Sequence, residues 1–217
     1  MKILAVETSS KLFSAALNED GKTSAYFAYD CGHIHSEMLI PAIEKILKDT
    51  GNSYQNIDKF AVSAGPGSFT GIRVAMTAVK TMAQTLNKPV AAIDSLSLLE
   101  GAFVNLKGFK LSAAIDALRN EIYVKSKNGI IIKGIDDFIN ENKKYKNKII
   151  VIGSAAEVYR EKLEKALGKT SVCLPFAFNF PTAAVLGEMA RYAKNEEYSK
   201  IQPLYIRRSW AEEKTDV

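Results

Sequence analysis

The chain has 217 residues, 47% apolar and 24% charged, with a formal net charge of +5. This is an ordinary globular composition, enough for one large domain or two lobes of about 100 residues each, and no apolar run approaches the roughly 20 residues of a membrane-spanning helix. The mild basic excess permits contact with nucleic acid without demanding it.

The N-terminus enters a strand pattern directly at Ile3–Thr8, with no secretory signal, so a cytoplasmic location is expected. Phe13–Leu17 and Thr23–Tyr29 read as two further strands around the turn Asn18-Glu19-Asp20-Gly21, where Asp-Gly is a hairpin signal. A helix is predicted at about Ser36–Lys48, with Leu39, Ile43, Ile46 and Leu47 on one face. Pro41 should kink it or delay its start. The apolar run Lys59–Ala64 reads as a buried strand, and the helix Gly71–Leu86 follows. Its stripe of Ile72, Ala75, Met76, Val79, Met82, Ala83 and Leu86 is wide. Taken alone, both helical stripes read as the covering of one sheet face.

Between that strand and helix lies Gly65-Pro66-Gly67-Ser68-Phe69-Thr70-Gly71-Ile72-Arg73. A Gly-rich turn at this place can cradle an anion at a helix N-terminus. Three specific patterns fail, however. A phosphate-binding P-loop needs Lys and Ser/Thr after the last Gly, and Ile72 and Arg73 stand there. A dinucleotide fingerprint needs Gly at relative positions 1, 3 and 6, and position 6 is Thr70. A nucleophile elbow needs Gly two residues either side of the Ser, and Ser68 has Pro66 and Thr70. The plainer alternative is a tight turn whose glycines supply positive φ and let the helix start close to the sheet.

The second half repeats the plan. Strand Leu111–Ile115 ends in Asp116, as the first strand ends near Glu7. Glu121–Ser126, the turn Lys127-Asn128-Gly129 and Ile130–Lys133 form a second hairpin. A helical segment near Asp136–Glu141, a strand Lys148–Ile152, the small-residue turn Gly153-Ser154-Ala155-Ala156 and a helix from about Glu157 to Leu167 follow. Asn179–Asn195, with Pro181 near its first turn, reads as a closing helix. Two lobes are expected, each with a mixed, largely parallel sheet, at residues 1–105 and 106–217. The Lys-rich stretch Asn142–Lys148 reads as a solvated connection.

Catalytic groups are sparse. His33 and His35 are the only histidines and lack nearby ligand partners for a metal. A Ser-His-Asp triad has no sequence support. Cys31 and Cys173 are far apart, lack a Cys-x-x-Cys partner and are expected as reduced thiols.

The duplicated lobe with an acidic residue closing its first strand resembles the actin/hexokinase/Hsp70-like (ribonuclease H-like) ATPase fold, an α/β fold with mixed sheets flanked by helices. More specifically, Gly65–Arg73 belongs with Ile3-Leu4-Ala5-Val6-Glu7-Thr8-Ser9 and His35-Ser36-Glu37 leading to Leu39-Ile40-Pro41. It also belongs with Ala114-Ile115-Asp116-Ala117 before Glu121-Ile122-Tyr123, and with Gln202-Pro203-Leu204-Tyr205-Ile206-Arg207. In that order, from residue 3 to residue 207, these segments closely resemble the TsaB (YeaZ) family.

The resemblance implies an accessory subunit, without catalytic residues or metal, of the machinery that makes threonylcarbamoyladenosine at position 37 of ANN-decoding tRNAs. It implies binding to the catalytic paralogue TsaD, with the ATPase TsaE joining, and homodimer formation when alone. Both pairings use the first-lobe helices in a four-helix arrangement. The apolar stripe residues Leu39, Ile43, Ile46, Ala75, Val79 and Met82 thereby become interface candidates. No cofactor is required, although Glu7, Thr8 and Ser9 mark a vestigial nucleotide site and weak ATP or ADP binding at the complex interface is compatible with the family. Glu7 stands where an ATPase of this fold usually has Asp, and Gly153–Ala156 lacks the Gly-Gly pair that packs an adenosine. The competing reading is a stand-alone ATPase or phosphotransferase of the same fold with Glu7 and Gly65–Gly71 on phosphates. The family commonly has Arg directly after the Asp-Ala pair, where this chain has Leu118 and then Arg119. Contact with tRNA is expected to be indirect or through weak basic contacts such as Arg207 and Arg208.

Overall fold

The structure, a computed structural model, describes residues 1–30, 35–103, 107–172 and 176–207. The expectations for Cys31, His33, Cys173 and Arg208 lie outside these residues, as does the side chain of His35.

Two sheets are built on one plan. In the first, β1 (Lys2–Glu7) pairs antiparallel with β2 (Leu12–Glu19), which pairs antiparallel with β3 (Lys22–Asp30). Helix α1 (His35–Asp49) then returns the chain to β4 (Lys59–Gly65), parallel to β1. Helix α2 (Phe69–Leu86) leads to β5 (Val90–Asp94), parallel to β4, giving the order β3-β2-β1-β4-β5. After the short α3 (Ser95–Gly101) the second sheet follows. It comprises β6 (Lys110–Asp116), β7 (Glu121–Ser126), β8 (Gly129–Gly134) and, after α4 (Ile135–Asn142), β9 (Ile149–Ile152). Its order, β8-β7-β6-β9, matches the first sheet without a fifth strand. An antiparallel hairpin followed by parallel crossovers, twice over, is the duplicated mixed-sheet α/β architecture of the actin/hexokinase-like fold.

The sequence reading passes over β5 and α3, which are short and carry no long periodicity. Their punctuation is local. Asn87 closes α2 in the left-handed conformation, and the Asp94 carboxylate caps α3 by accepting from Ser97 N at 2.8 Å. Helix α1 starts at His35, and Pro41 sits exposed inside it rather than delaying it. The expected single helix after β9 is two, α5 (Ser154–Val158) and α6 (Arg160–Leu167), broken at Tyr159. The closing helix α7 is shorter than expected, at Ala183–Ala190.

Chain order and packing part at α7. It follows the second sheet in sequence but packs its Ala183, Leu186 and Ala190 against Ile3, Ala5, Ala16 and Ala61 of the first. Buried Lys59 of β4 ties down its C-terminal end, donating from Nζ to the carbonyls of Ala190 and Ala193 at 2.8 Å each. A cation there satisfies carbonyls that have no partner within the helix. The opposite face of the first sheet is covered by α1 and α2, whose apolar stripes form the largest core with Leu4, Phe13, Leu17 and Phe60.

Candidate functional site

The end of β1 is the hub. Glu7 is fully buried; its Oε1 accepts from Ser9 N at 2.7 Å, while Oε2 has no hydrogen-bond partner among the described residues. Around it Ser63 and Ser95 share a hydrogen bond at 2.9 Å, and Ser95 Oγ donates to Ser9 Oγ at 2.9 Å. Burial pushes the Glu7 carboxyl up to about 7, opposed only in part by hydrogen bonds from Ser9 and Ser63. Thr8, also fully buried, donates from Oγ1 to Gly71 O at 2.6 Å.

This geometry explains the Gly-rich segment. Ser68 N donates to Ser9 O at 2.7 Å, and the Ser68 hydroxyl caps α2 by accepting from Gly71 N at 3.2 Å. A Cβ on Gly67 would collide with the Ser9 carbonyl, and one on Gly71 with the Thr8 carbonyl. The two glycines are there because two backbones touch, so the amides of Ser68 and Gly71 serve the fold rather than an anion. A Gly71→Ala variant should lose about 1–3 kcal/mol of stability through this overpacking, read as a lowered urea midpoint with an unchanged slope.

A cleft of about 330 Å³ lies between the lobes. Ser9, Lys11, Gly67 and Ser68 come from the first lobe, and Asp116, Ser154 and Glu157 from the second. Glu7 and Thr8 are not among its lining residues; they lie beneath its wall, and of the three vestigial-site residues only Ser9 reaches it. Asp116 N donates to Ser154 Oγ at 3.0 Å, and Asp116 Oδ1 accepts from Tyr159 Oη at 3.2 Å. Lys11 approaches Glu157 at 3.9 Å across the opening.

The C-terminal segment straps the two lobes. Leu204 N donates to Ala64 O at 2.8 Å, Tyr205 Oη accepts from Arg73 Nε at 2.9 Å, and Arg207 bonds both Ala117 O at 2.7 Å and the Glu121 carboxylate. Arg73 also lies 3.7 Å over the Phe69 ring. The tail of the chain thus joins signature residues far apart in sequence: Tyr205 meets Phe69 and Arg73 of the first lobe, and Arg207 meets Ala117 and Glu121 of the second. The Arg207–Glu121 pair was missed by sequence reasoning, though both residues sit in quoted motifs with opposite charge. The serines at 63 and 95 carried no signal. Leu118, Arg119 and Asn120 are three successive left-handed residues in the β6–β7 turn, and Leu118 is 69% exposed.

The interface candidates need correction. Leu39, Ile43, Ile46, Ala75 and Val79 are at most 4% exposed and face the first sheet, and only Met82 is partly open. A stripe that covers a sheet cannot also cover a partner. The outward face of α2 is a different one. Phe69, Thr70, Arg73, Val74, Thr77 and Ala78 line an open groove of about 510 Å³, continued by exposed Thr81 and Thr85. The whole helix carries only two charges, Arg73 and Lys80, and Lys80 is spent on Ile201 O at 2.9 Å.

Comparison with known proteins agrees with this geometry. Residues 30–214 match the family model described as TsaD, tRNA N6-adenosine threonylcarbamoyltransferase. The tRNA threonylcarbamoyladenosine biosynthesis protein TsaB of Bacillus subtilis is 28% identical over 225 aligned residues, covering 99% of this chain and 97% of that one. The Escherichia coli protein of the same name is 33% identical over 135, covering 60% and 58%. The solved structure of YeaZ from Pseudomonas aeruginosa superposes with a TM-score of 0.70 at 23% identity, covering 94% of this chain and 99% of that one. With the signature segments tied to one another across the two lobes and relatives aligned end to end, the chain belongs to the TsaB/YeaZ family, within the wider group that the threonylcarbamoyltransferase model describes.

Proposed function

We propose that this chain is an accessory subunit in the biosynthesis of threonylcarbamoyladenosine in tRNA, and that it acts by binding a TsaD-type catalytic paralogue through the outward faces of α1 and α2. One observation carries the reading: the solvent-facing surface of α2 is nearly uncharged. Helices that remain in water normally place charged residues outward, whereas buried interface centres are depleted of charge. On α2 the exposed positions are Phe69, Thr70, Arg73, Thr77, Thr81, Gln84 and Thr85, with Arg73 the one charge among them; on α1 Ile40 is 43% exposed beside the charged Glu37, Glu44 and Lys45, so α2 supplies the uncharged part of this surface. The same face serves a homodimer when the paralogue is absent, with TsaE recruited through the assembled pair. No cofactor is required of this chain in that role, and the work takes place in the cytoplasm.

The alternative, an ATPase or phosphotransferase acting alone, is disfavoured by Glu7. A carboxylate that organises metal or water must reach the cleft, and this one lies beneath its wall. The test is co-purification with TsaD, followed by assay of tRNA threonylcarbamoylation with and without this chain. Complex formation and dependence of modification on the chain are expected. Modification by TsaD and TsaE at full rate without it sinks the proposal, and ATP turnover by the purified chain that disappears in Glu7→Ala establishes the alternative.

A further inference from the structure

Part of the positive charge of this protein is concentrated in one place. At the start of β6 stand Lys107 and Lys110, and the link from α4 into β9 carries Lys143, Lys144, Lys146 and Lys148, all exposed. Lys165 and Lys169 lie at the end of α6 and just beyond it, also exposed. Backbone contacts hold these segments together: Lys110 N donates to Lys148 O at 2.7 Å, and Asn147 N to Leu167 O at 2.8 Å. Eight of the 29 basic residues thus fall in the stretches 107–110, 143–148 and 165–169, which contain no acidic residue.

Elsewhere Lys2, Lys45, Lys125, Lys133, Lys162 and Lys200 each have a carboxylate within 4 Å. Lys22, Lys48, Lys88, Lys127 and Lys194 have none among the described residues, but they stand on separate segments rather than together. In the patch, Lys110, Lys144, Lys146, Lys148 and Lys165 have none among the described residues. Tyr145 sits amid them, with Lys110 Nζ 4.4 Å and Lys144 Nζ 5.3 Å from its ring centre, and Phe109, next to Lys110 in the chain, is 41% exposed. Unpaired lysines interleaved with accessible aromatic rings suit a ligand with regularly spaced phosphates and stackable bases. The cleft lies beyond the other ends of β6 and β9, at Asp116 and Ser154, so this surface is separate from it.

We infer that this end of the second lobe is an RNA-binding surface that grips the phosphate backbone of the tRNA undergoing modification. The charge pattern assigns the RNA contact; that the RNA is tRNA rests on the function proposed above. The experiment is anisotropy of a fluorescein-labelled tRNA transcript, titrated with the full chain alone and in complex with TsaD over a series of salt concentrations. Lys144→Glu, Lys146→Glu and Lys148→Glu combined should weaken binding about tenfold or more. They should also lower the slope of log affinity against log salt by about two to three, while co-purification with TsaD is retained. A control with equal charge change, Lys22→Glu, Lys127→Glu and Lys194→Glu, should bind nearly as the parent does. The inference is overturned if the patch variant binds like the parent, if the control loses as much, or if the parent is captured by phosphatidylserine vesicles but not by RNA. Patch-dependent RNA binding by a chain that ignores TsaD leaves this surface standing and removes the functional reading beneath it.

Discussion

Replacing Glu7 with Gln should make the protein more stable at pH 8, by about 3 kcal/mol, and should flatten its stability between pH 4.5 and 7. The carboxyl titrates at about 7 in the fold against 4.5 as a model group, because burial penalises its charged form more than Ser9 and Ser63 repay it. The folded state therefore holds a proton that the unfolded chain releases. The stability this group contributes is fully present below about pH 4.5, declines as the pH rises through 7, and is gone above that. A shift of about 2.5 units corresponds to about 3 kcal/mol. The Gln variant never ionises, keeps the acceptor for Ser9 N, and offers its amide to the surrounding hydroxyls. Urea unfolding of both proteins at pH 5 and pH 8 checks this: the midpoints should lie close together at pH 5 and separate widely at pH 8. Equal midpoints at pH 8 would mean that Glu7 is compensated in a way the serine cage does not supply.

That buried acid also shows where sequence reading ends. An acidic residue closing the first strand was visible, and so was the matching Asp116, which made the duplication legible from the pattern strand–hairpin–helix–strand–helix. What the two acids do was not visible, because it depends on residues with no local signal. Glu7 meets Ser9 and, from β4, Ser63, both of which Ser95 from α3 bonds in turn, and is sealed. Asp116 meets Ser154 and Tyr159 and lines the cleft. The Gly65–Arg73 segment fared similarly. Its failure against the phosphate patterns could be read residue by residue, but the reason for Gly67 and Gly71 is the nearness of Thr8 and Ser9 in space. The helix stripes were read correctly as a periodicity and as sheet covering. Moving them to a partner surface broke a simple constraint: an apolar face already buried on a sheet has no area left to offer.

A charge on the outward face of α2 should separate the complex without unfolding the chain, and a charge on its inward face should do the reverse. Thr77 is exposed and Ala78 half-buried, both lining the groove, while Val79 next to them is fully buried. In the isolated chain Thr77→Glu or Ala78→Glu leaves the new carboxylate in water and should change stability by no more than about 0.5 kcal/mol. At the centre of an interface the same carboxylate is desolvated without a partner, a cost of about 3–5 kcal/mol, which weakens binding by two to three orders of magnitude or more. In Val79→Glu the charge is forced among Leu39, Ile43 and Phe60, and that cost falls on a fold with only about 5–15 kcal/mol to lose. Circular dichroism melts and the Kd for TsaD, measured on all three variants, tell the faces apart. Native melts with lost binding in Thr77→Glu and Ala78→Glu, beside a collapsed melt in Val79→Glu, place the partner on the outward face. Parent-like binding by both outward variants would remove α2 from the interface altogether, and with it the observation on which the proposed role rests.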